Sequence, residues 1–387
     1  MKLLKQTDVK GKRVLVRCDF NISFNKKGES TENFRIEETI YTIKYLIENN
    51  AKVILLSHLG RPEGKVVGSL RLDKVAKILS GFLKKEVRKL NNSIGNSIVS
   101  YTKRMKEGDV ILLENVQFHK GEIDNDPNYA KELSKNGDIF VMEAFGQAHR
   151  EYASIVSINK YLPCYAGFLF EKEVEVISKL MKSPEHPFVV VMGGVKIDTK
   201  IEPIRKILPV SDHILFGGEI ANVILRVKGI TVNKPLPPLE ITEMVKEIDF
   251  TNSKIHLPFD VLASLEQMNE IYVRCGAPGT IRREEMIYDI GPETILNFKE
   301  ILKEAKTILW NGPLGLYEEK EFENGTKEIA QSIAENNSAF RVIGGGDTIS
   351  AVSKFNLLSS FNHVSTGGGA MLDFIAKGEL PGIKALE

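Results

Sequence analysis

The feature of this sequence that most constrains its fold is a pattern that recurs along both halves. A short run rich in β-branched residues and leucine ends in a polar or glycine-rich cluster, and residues with helical apolar spacing often follow. Strands that alternate with helices predict parallel sheets covered by helices on both faces, the α/β class. The runs are 13–16, 52–57, 109–113 and 138–142 in the first half, and 187–192, 212–216, 254–263, 306–310 and 340–343 in the second.

The length of 387 residues favours two domains, because single hydrophobic cores stop growing at about 250–300 residues. Residues 168–183 have apolar side chains at roughly helical spacing and end before Pro184, which predicts a connecting helix. We therefore expect the boundary at this helix, with one α/β domain at 1–167 and a second that begins at 184.

Composition excludes several classes of function. A net charge of +1, with 27% charged and 42% hydrophobic residues, describes a soluble globular protein without a bulk electrostatic basis for binding nucleic acid or membrane. Cys18, Cys164 and Cys275 lie far apart, so they predict neither a disulfide framework nor a cysteine-based zinc site. The first residues lack an apolar signal segment, and together these features predict a cytoplasmic protein.

The strand ends of the first half carry cationic and hydrogen-bonding side chains. Taken singly, each residue is more simply interpreted as an ordinary loop or turn residue. Four successive ends of this kind favour a site for a small phosphorylated or carboxylated ligand, because ligands bind outside the carboxyl ends of parallel strands. We call this set the anion cup; it comprises Asp19, Asn21, Arg35, His58, Arg61, Gln117, His119, Lys120, His149 and Arg150.

The strand ends of the second half are rich in glycine: "MGGVKIDTK", "FGGEIAN", "WNGPLGLYE", "IGGGDTIS" and "STGGGAM". Glycines between a strand and a helix let backbone N–H groups approach an anion, which suits nucleotide phosphates. The sequence predicts Lys196 at a helix start and Lys200 one turn on, with a solvated lysine pair as the alternative. Asp347 is expected to cap a helix, to coordinate nucleotide-bound Mg²⁺, or both.

Common nucleotide-binding motifs are missing. The chain has neither G-x-x-x-x-G-K-[ST] nor G-x-G-x-x-G after a strand, which disfavours a P-loop enzyme and a standard dinucleotide-binding dehydrogenase.

Several long segments, in order, resemble the phosphoglycerate kinase family: "VRCDFN", "SHLGRP", "LLENVQFHKGE", "AFGQAHREYAS", "GGVKIDTK", "WNGPLGLYE", "GGGDT" and "HVSTGGGAMLDFIAKGELPGIKAL". The resemblance implies two Rossmann-like, doubly wound domains joined by a hinge helix. The second domain would span 184–370, and the tail 371–387 would return to the first. The resemblance also implies reversible phosphoryl transfer between 1,3-bisphosphoglycerate with MgADP and 3-phosphoglycerate with MgATP.

The resemblance assigns residues to both substrates. Six residues of the anion cup match the family's 3-phosphoglycerate site, and Gln117 stands at a position where the family has Arg. The six are Asp19, Asn21, Arg35, His58, Arg61 and Arg150. A second set of residues matches the family's nucleotide site. In this set, Glu318 would bind the ribose and Asp347 would coordinate Mg²⁺. The full nucleotide set is Lys196, Lys200, Gly217, Gly218, Asn311, Glu318, Gly345, Gly346, Asp347 and Thr348.

Phosphoryl transfer requires positioning and charge stabilisation rather than covalent chemistry by the protein. No general base is needed, because the acceptor carboxylate is already ionised at neutral pH. We expect Arg35 and Lys196 to stabilise the phosphoryl group during its transfer, assisted by backbone N–H groups at Gly346 and at Gly368–Gly369. We expect a monomeric enzyme whose only partners are its small-molecule substrates. Closure of the two domains would exclude water from the transfer.

Four departures from the family pattern matter: Gln117, Glu219 in place of a glycine near the adenine, Tyr152 in place of a histidine, and Glu143 in place of an aspartate. Two alternatives therefore stay open. One is a nucleotide-binding protein of the same fold without transfer activity. The other is a kinase for a different acyl phosphate, which rests on Gln117 alone.

Overall fold

The computed structural model describes residues 1–25, 27–30, 33–265 and 272–387. The chain forms two compact units: unit 1 comprises Met1–Glu175 and Lys377–Glu387, and unit 2 comprises Val176–Ala376. The division falls inside the helix Phe168–Lys182, so this helix runs from one unit into the other. In the described ranges, no helix is long and apolar enough to cross a membrane.

The strands of unit 1 are β1 (Arg13–Arg17), β2 (Lys52–Leu56), β3 (Arg88–Lys89), β4 (Val110–Leu112), β5 (Ile139–Met142) and β6 (Cys164–Ala166). Among the described residues they form one parallel sheet with the order β3-β4-β2-β1-β5-β6. The helices of unit 1 are α1 (Phe34–Glu48), α2 (Asp73–Leu83), α3 (Asn96–Lys103), α4 (Lys120–Ile123), α5 (Pro127–Ser134), the start of α6 (Phe168–Lys182) and α14 (Pro381–Lys384).

The last residues of the chain pack on unit 1. The Gly382 N–H donates to the Ala148 carbonyl at 2.8 Å. Asn159 Nδ2 donates to the Ala385 carbonyl at 2.8 Å. These bonds fasten the C-terminal residues to the segment that carries Arg150.

The strands of unit 2 are β7 (Phe188–Met192), β8 (His213–Phe216), β9 (Ile255–His256), β10 (Val261–Leu265), β11 (Arg274–Gly276), β12 (Glu285–Ile290), β13 (Thr307–Asn311), β14 (Phe340–Gly344) and β15 (His363–Ser365). Six of them form a second parallel sheet, with the order β15-β14-β13-β7-β8-β9 in the described part of the chain. The helices of unit 2 are α7 (Ile201–Ile207), α8 (Gly218–Val227), α9 (Leu239–Lys246), α10 (Pro292–Glu304), α11 (Asn324–Glu335), α12 (Gly346–Lys354) and α13 (Gly369–Lys377).

The predicted strand at 254–263 is wrong. Its residues form two strands in different sheets: β9 joins the parallel sheet beside β8, and β10 pairs antiparallel with β11 and β12. Pro258 lies between them and has no N–H to donate to a ladder, which breaks the run. The second part of the apolar run, β10, therefore belongs to a three-stranded antiparallel sheet that the sequence did not predict.

The central strands are buried on both faces, as parallel strands under two helical layers must be. Val189, Val190 and Val191 of β7 are each 0% exposed, and so are Val53 and Ile54 of β2. The expectation of two parallel-sheet α/β domains is confirmed.

Candidate active site

The strand order brings the four cup strands together in unit 1. β4, β2, β1 and β5 are consecutive neighbours, so their carboxyl ends meet along one edge of the sheet. The chain winds outward from β1 in one direction and resumes at β5 on the other side, which makes the β1/β5 edge the topological switch point. This is where open α/β sheets bind ligands.

Asp19 is the buried centre of the cup. Its carboxylate receives Arg35 Nη1 at 3.3 Å and Gln147 Nε2 at 3.4 Å, and His58 Nδ1 lies 3.9 Å away. Burial opposes ionisation of Asp19, but Arg35, with smaller contributions from Arg17 and the Asn21 N–H, outweighs it and lowers the pKa of the carboxyl group. Asp19 therefore orients Arg35 as a carboxylate.

His58 is neutral in this setting. Burial lowers its pKa to about 4, although the Asp19 carboxylate acts in the opposite direction. Its Nδ1 has no hydrogen-bond partner within the described residues. A buried imidazole nitrogen without a partner leaves one polar group facing the cup unsatisfied.

Several polar residues at the strand ends hold the cup rather than line it. Glu114, 3% exposed, pairs with Arg71 Nη1 and Lys89 Nζ, both at 2.7 Å. The side-chain amide of Asn115 donates to the carbonyl groups of Leu59 and Leu70 at 2.8 and 3.0 Å. These bonds fasten the end of β4 to the loop after β2.

Gln117 is buried, with 5% of its surface exposed. Its N–H donates to Asn115 Oδ1 at 3.1 Å, and its carbonyl accepts from the Gly64 N–H at 3.1 Å. The backbone of Gln117 is thus fixed between two cup segments, so the residue at this position has little freedom to move away.

Arg61 and Arg150 are exposed, and their guanidinium groups form no ion pair with the carboxylates of the described residues. Arg35 is partly buried, with 28% of its side chain exposed. Positive charge that the protein does not neutralise is available for an anionic ligand.

In unit 2 the switch point lies between β7 and β13, and the loops after these strands pack backbone to backbone. The Gly193 N–H donates to the Asn311 carbonyl at 2.9 Å and the Gly194 N–H to the Pro313 carbonyl at 2.7 Å. A Cβ at Gly193 would lie 2.2 Å from the Pro313 oxygen. This close approach requires glycine.

The loop after β8 joins this packing. A Cβ at Gly218 would lie 2.8 Å from the Gly194 nitrogen, and Gly217 lies against Leu314. The Gly218 N–H donates to the Leu314 carbonyl at 2.8 Å. Some glycines of this half are therefore explained by packing within the protein.

The predicted helix start at Lys196 is wrong. Helix α7 begins at Ile201 with Lys200 as its N-cap residue, and Lys196 lies in an exposed loop. The loop is longer than expected because residues 193–194 are bonded to the end of β13 and only later residues are free to coil. Lys200 is buried and its ammonium group donates to the Gly193 carbonyl. Burial lowers its pKa to about 8, with the Asp347 carboxylate opposing.

Asp347 is not the N-cap of its helix. Gly345, with φ of +99°, occupies that position, and Asp347 lies exposed in the first turn of α12. A carboxylate there interacts favourably with the helix dipole and remains open to solvent. The capping interpretation of the sequence is therefore corrected.

Gly346 and Gly369 differ from the packed glycines. They are the first residues of α12 and α13, and a Cβ at either would meet no protein atom within 4 Å. Neither has a positive φ. Nothing within the described residues requires glycine at these two positions, which leaves open space over two helix N-termini.

Asn311 and Thr348 connect neighbouring strand ends. Asn311 Nδ2 donates to the Gly344 carbonyl at 2.9 Å, and Thr348 Oγ1 accepts from the Gly312 N–H at 2.7 Å. Both side chains are thus engaged with the backbone beside Gly345.

Burial raises the pKa of Tyr317 to about 12, and the charges of Glu318 and Asp347 act in the same direction. Glu318 itself is exposed.

The substitution at Glu219 has a structural account. Its carboxylate pairs with the buried Arg226 Nη2 at 2.5 Å and accepts from Asn222 Nδ2 at 3.0 Å. Both partners lie on the same helix, α8, so the carboxylate is held along the helix surface and its charge is compensated.

The acidic residues do not form a metal-binding cluster of their own. No group of three or more His, Cys, Asp or Glu that could hold a metal ion occurs among the described residues. A divalent cation at Asp347 would therefore take its remaining ligands from phosphate oxygens and water, which is the usual Mg²⁺ arrangement at nucleotides.

Sequence reasoning missed Gln147 and the buried group of Arg17, Glu122 and Ser154. Gln147 donates to Asp19, and Arg17 is the last residue of β1, two residues before Asp19. The signal was weak, because a buried charged residue cannot be distinguished from a surface one by type alone.

The comparisons with known proteins agree with this geometry. The family model described as phosphoglycerate kinase matches residues 4–378. The phosphoglycerate kinase of Dictyoglomus turgidum is 43% identical over 390 residues, covering 99% of this chain and 98% of that protein. The one from Thermosipho africanus is 44% identical and covers 99% of this chain and 97% of its own.

Solved structures show the same likeness. The phosphoglycerate kinase structure from Coxiella burnetii has a TM-score of 0.85 at 36% identity, covering 99% of this chain and 98% of that one. The structure from Pyrococcus horikoshii has a TM-score of 0.86 at 31% identity, covering 100% and 98%. The resemblance noted from the sequence is confirmed: the chain belongs to the phosphoglycerate kinase family.

Proposed function

We propose that this chain transfers a phosphoryl group reversibly between 1,3-bisphosphoglycerate with MgADP and 3-phosphoglycerate with MgATP, using the two switch-point sites. Its family makes it an ATP-dependent kinase with a carboxyl group as acceptor. The observation that carries the residue assignment is the placement of unneutralised cations at the unit 1 edge and of open helix N-termini at the unit 2 edge.

The anion cup is the proposed 3-phosphoglycerate site. Arg61 and Arg150 supply charge from the rim, and Asp19 holds Arg35 in place. Neutral His58 and Asn21 supply polar groups; Asn21 Oδ1 already accepts from the Gly60 N–H at 2.8 Å. The assignment makes 1–167 the acceptor domain and 371–387 the tail, of which Lys377–Glu387 belong to the same compact unit as 1–167.

The glycine-rich ends are the proposed nucleotide site in a domain spanning 184–370, with 168–183 as the hinge helix. The N-termini of α12 and α13 offer backbone N–H groups to phosphate oxygens, and Gly346 and Gly369 keep side chains out of the way. Glu318 is placed on the ribose and Asp347 would hold Mg²⁺. The metal would neutralise phosphate charge and orient the phosphates.

Transfer itself needs little covalent chemistry from the protein. Arg35 and Lys196 are the side chains proposed to stabilise charge on the group in flight. Because they belong to different units, the substrates must be brought together during the cycle. We also propose that the enzyme is a cytoplasmic monomer.

Substitution of Arg150 by Ala tests the acceptor site. The KM for 3-phosphoglycerate should rise by roughly 10- to 150-fold, because a charge-assisted hydrogen bond is worth about 1.5–3 kcal/mol. The KM for MgATP should not change. If only the KM for MgATP rises, Arg150 does not belong to the acceptor site and the proposed location of that site is wrong.

Of the two alternatives left open by the sequence, neither is favoured. The family assignment speaks against loss of transfer activity, since the assigned cations and carboxylates are all present. A different acyl phosphate rests on Gln117 alone, and no contact of Gln117 with the described residues points to another substrate.

A further inference from the structure

A fully buried ionic group lies behind the anion cup, and it touches three of the cup's segments. Arg17 and Glu122 are both 0% exposed, and Ser154 lies between them. Arg17 is on β1, two residues before Asp19. Glu122 is on α4, directly after the segment of Gln117, and Ser154 follows Arg150 by four residues.

The bonds of this group are short and specific. Ser154 Oγ donates to Glu122 Oε1 at 2.5 Å, and the Ser154 N–H donates to Oε2 at 2.9 Å. Arg17 Nε donates to Ser154 Oγ at 2.8 Å. Arg17 Nη2 lies 3.9 Å from Glu122 Oε1, and the Ala153 N–H donates to the Glu122 carbonyl at 2.9 Å.

The same group shapes the backbone that leads into Asp19. Arg17 Nη1 donates to the Cys18 carbonyl at 2.6 Å. The charge of Arg17 also lowers the pKa of both Asp19 and His58, although burial is the largest influence on each. Arg17 therefore connects the buried group to the cup through both geometry and charge.

Stability alone does not account for this arrangement. Desolvation of two buried charges offsets most of their attraction, and apolar residues of similar volume often serve a fold as well. Burial also raises the pKa of Glu122, against the effects of Arg17 and Ser154. A group that is unfavourable to bury, and that bonds to three segments of one site, fits a positioning role.

We propose that Glu122 and Ser154 are positioning residues that clamp the β1, β4 and β5 ends of the cup and so set its affinity for the acceptor. The inference rests on the proposed 3-phosphoglycerate site. It assigns no contact with substrate to either residue; they act through Asp19, Arg150 and the segment of Gln117.

The test is a steady-state analysis of Glu122→Gln, Ser154→Ala and the double variant in the intact chain. Each single change should raise the KM for 3-phosphoglycerate about tenfold, since small misplacements of a bound group have large effects. The kcat and the KM for MgATP should stay within twofold. Ser134→Ala, which removes another buried serine hydroxyl of unit 1, bonded to the Lys131 carbonyl of its own helix, is the matched control and should leave all three constants unchanged.

The double variant separates a clamp from two independent packing defects. Because the two residues act as one unit, its KM should equal that of the weaker-binding single variant rather than the product of both effects. Multiplicative effects, equal rises in both KM values, or unchanged KM values for 3-phosphoglycerate would each overturn the clamp.

The Arg150→Ala variant separates failure of the clamp from failure of the site. If Arg150→Ala raises the KM for 3-phosphoglycerate and Glu122→Gln does not, the clamp is wrong and the site stands. If neither variant changes that KM, the proposed site is wrong, and the clamp falls with it.

Discussion

Gln117 shows how much a single side chain of the cup can decide. It is buried, and its backbone N–H and carbonyl are both hydrogen-bonded. The resemblance to the family implies an arginine at this position, and we propose that the uncharged amide leaves the cup with one cationic group fewer. The nearby Lys120 side chain is 81% exposed, with its ammonium 3.9 Å from Asp124, so it offers at most a mobile charge.

Restoring the charge should strengthen acceptor binding. We expect Gln117→Arg to lower the KM for 3-phosphoglycerate by about tenfold or more, since a charge-assisted hydrogen bond contributes about 1.5–3 kcal/mol. Gln331→Arg, on α11 of unit 2, is the control and should leave this KM unchanged. An unchanged KM in Gln117→Arg would mean that position 117 does not contact the substrate.

His58 gives unit 1 a pH-dependent stability. Its pKa is lowered to about 4 in the folded chain, so the unfolded chain binds a proton first as the pH falls. The stabilisation is present above pH 6.5 and is lost as the pH falls towards 4. Between pH 7 and pH 5 the loss should be about 2 kcal/mol.

Urea unfolding followed by circular dichroism at these two pH values measures the effect. His58→Asn should remove most of that pH-dependent difference, because Asn does not titrate. If the variant and the wild type lose the same stability between pH 7 and pH 5, His58 is not the group responsible.

At the scale of elements, the sequence predicted the central parallel strands well, because each is a short apolar run with a polar or glycine end. It missed the edge strands β3 and β6, which are only two and three residues long and lack such a run. It failed where tertiary contacts override local pattern. The run at 254–263 is divided between two sheets at Pro258, and α7 starts at Ile201 because the preceding loop is bonded to β13. The cup residues were predicted from strand ends, and their assignment stays a prediction, whereas the ion pair of Arg17 with Glu122 depends on segments distant in the chain.

The open helix N-termini of unit 2 yield an element-scale prediction. Gly346→Ala should leave the free energy of unfolding within about 0.5 kcal/mol, because the new methyl group meets no protein atom within 4 Å. It should raise the KM for MgATP about tenfold or more, since the methyl group would occupy space proposed for phosphate.

Gly81→Ala, in α2, also meets no atom within 4 Å and should change neither KM. Gly193→Ala should instead destabilise unit 2, because its Cβ would lie 2.2 Å from the Pro313 oxygen. If Gly346→Ala has the wild-type KM for MgATP, the proposal that a nucleotide phosphate binds at the start of α12 is wrong.

At the scale of the whole molecule, the chain contains the same α/β architecture twice, with different chemical groups at the ligand-binding edge of each sheet. Each unit has a parallel sheet with a switch point, at β1/β5 in unit 1 and at β7/β13 in unit 2. Side chains with charge dominate the first edge and backbone groups dominate the second. This division suits a small acidic acceptor and a nucleotide, and the transfer between them is the central claim.

The most direct test is a coupled assay with MgATP and 3-phosphoglycerate on the wild type, Lys196→Ala and Lys206→Ala. The wild type should turn over, and Lys196→Ala should lose at least about 100-fold in kcat, which is the scale on which single transition-state contacts act. Lys206→Ala, an exposed lysine on α7, should retain the wild-type kcat. A wild type without turnover at saturating substrates, or a Lys196→Ala variant as fast as the wild type, would contradict the account.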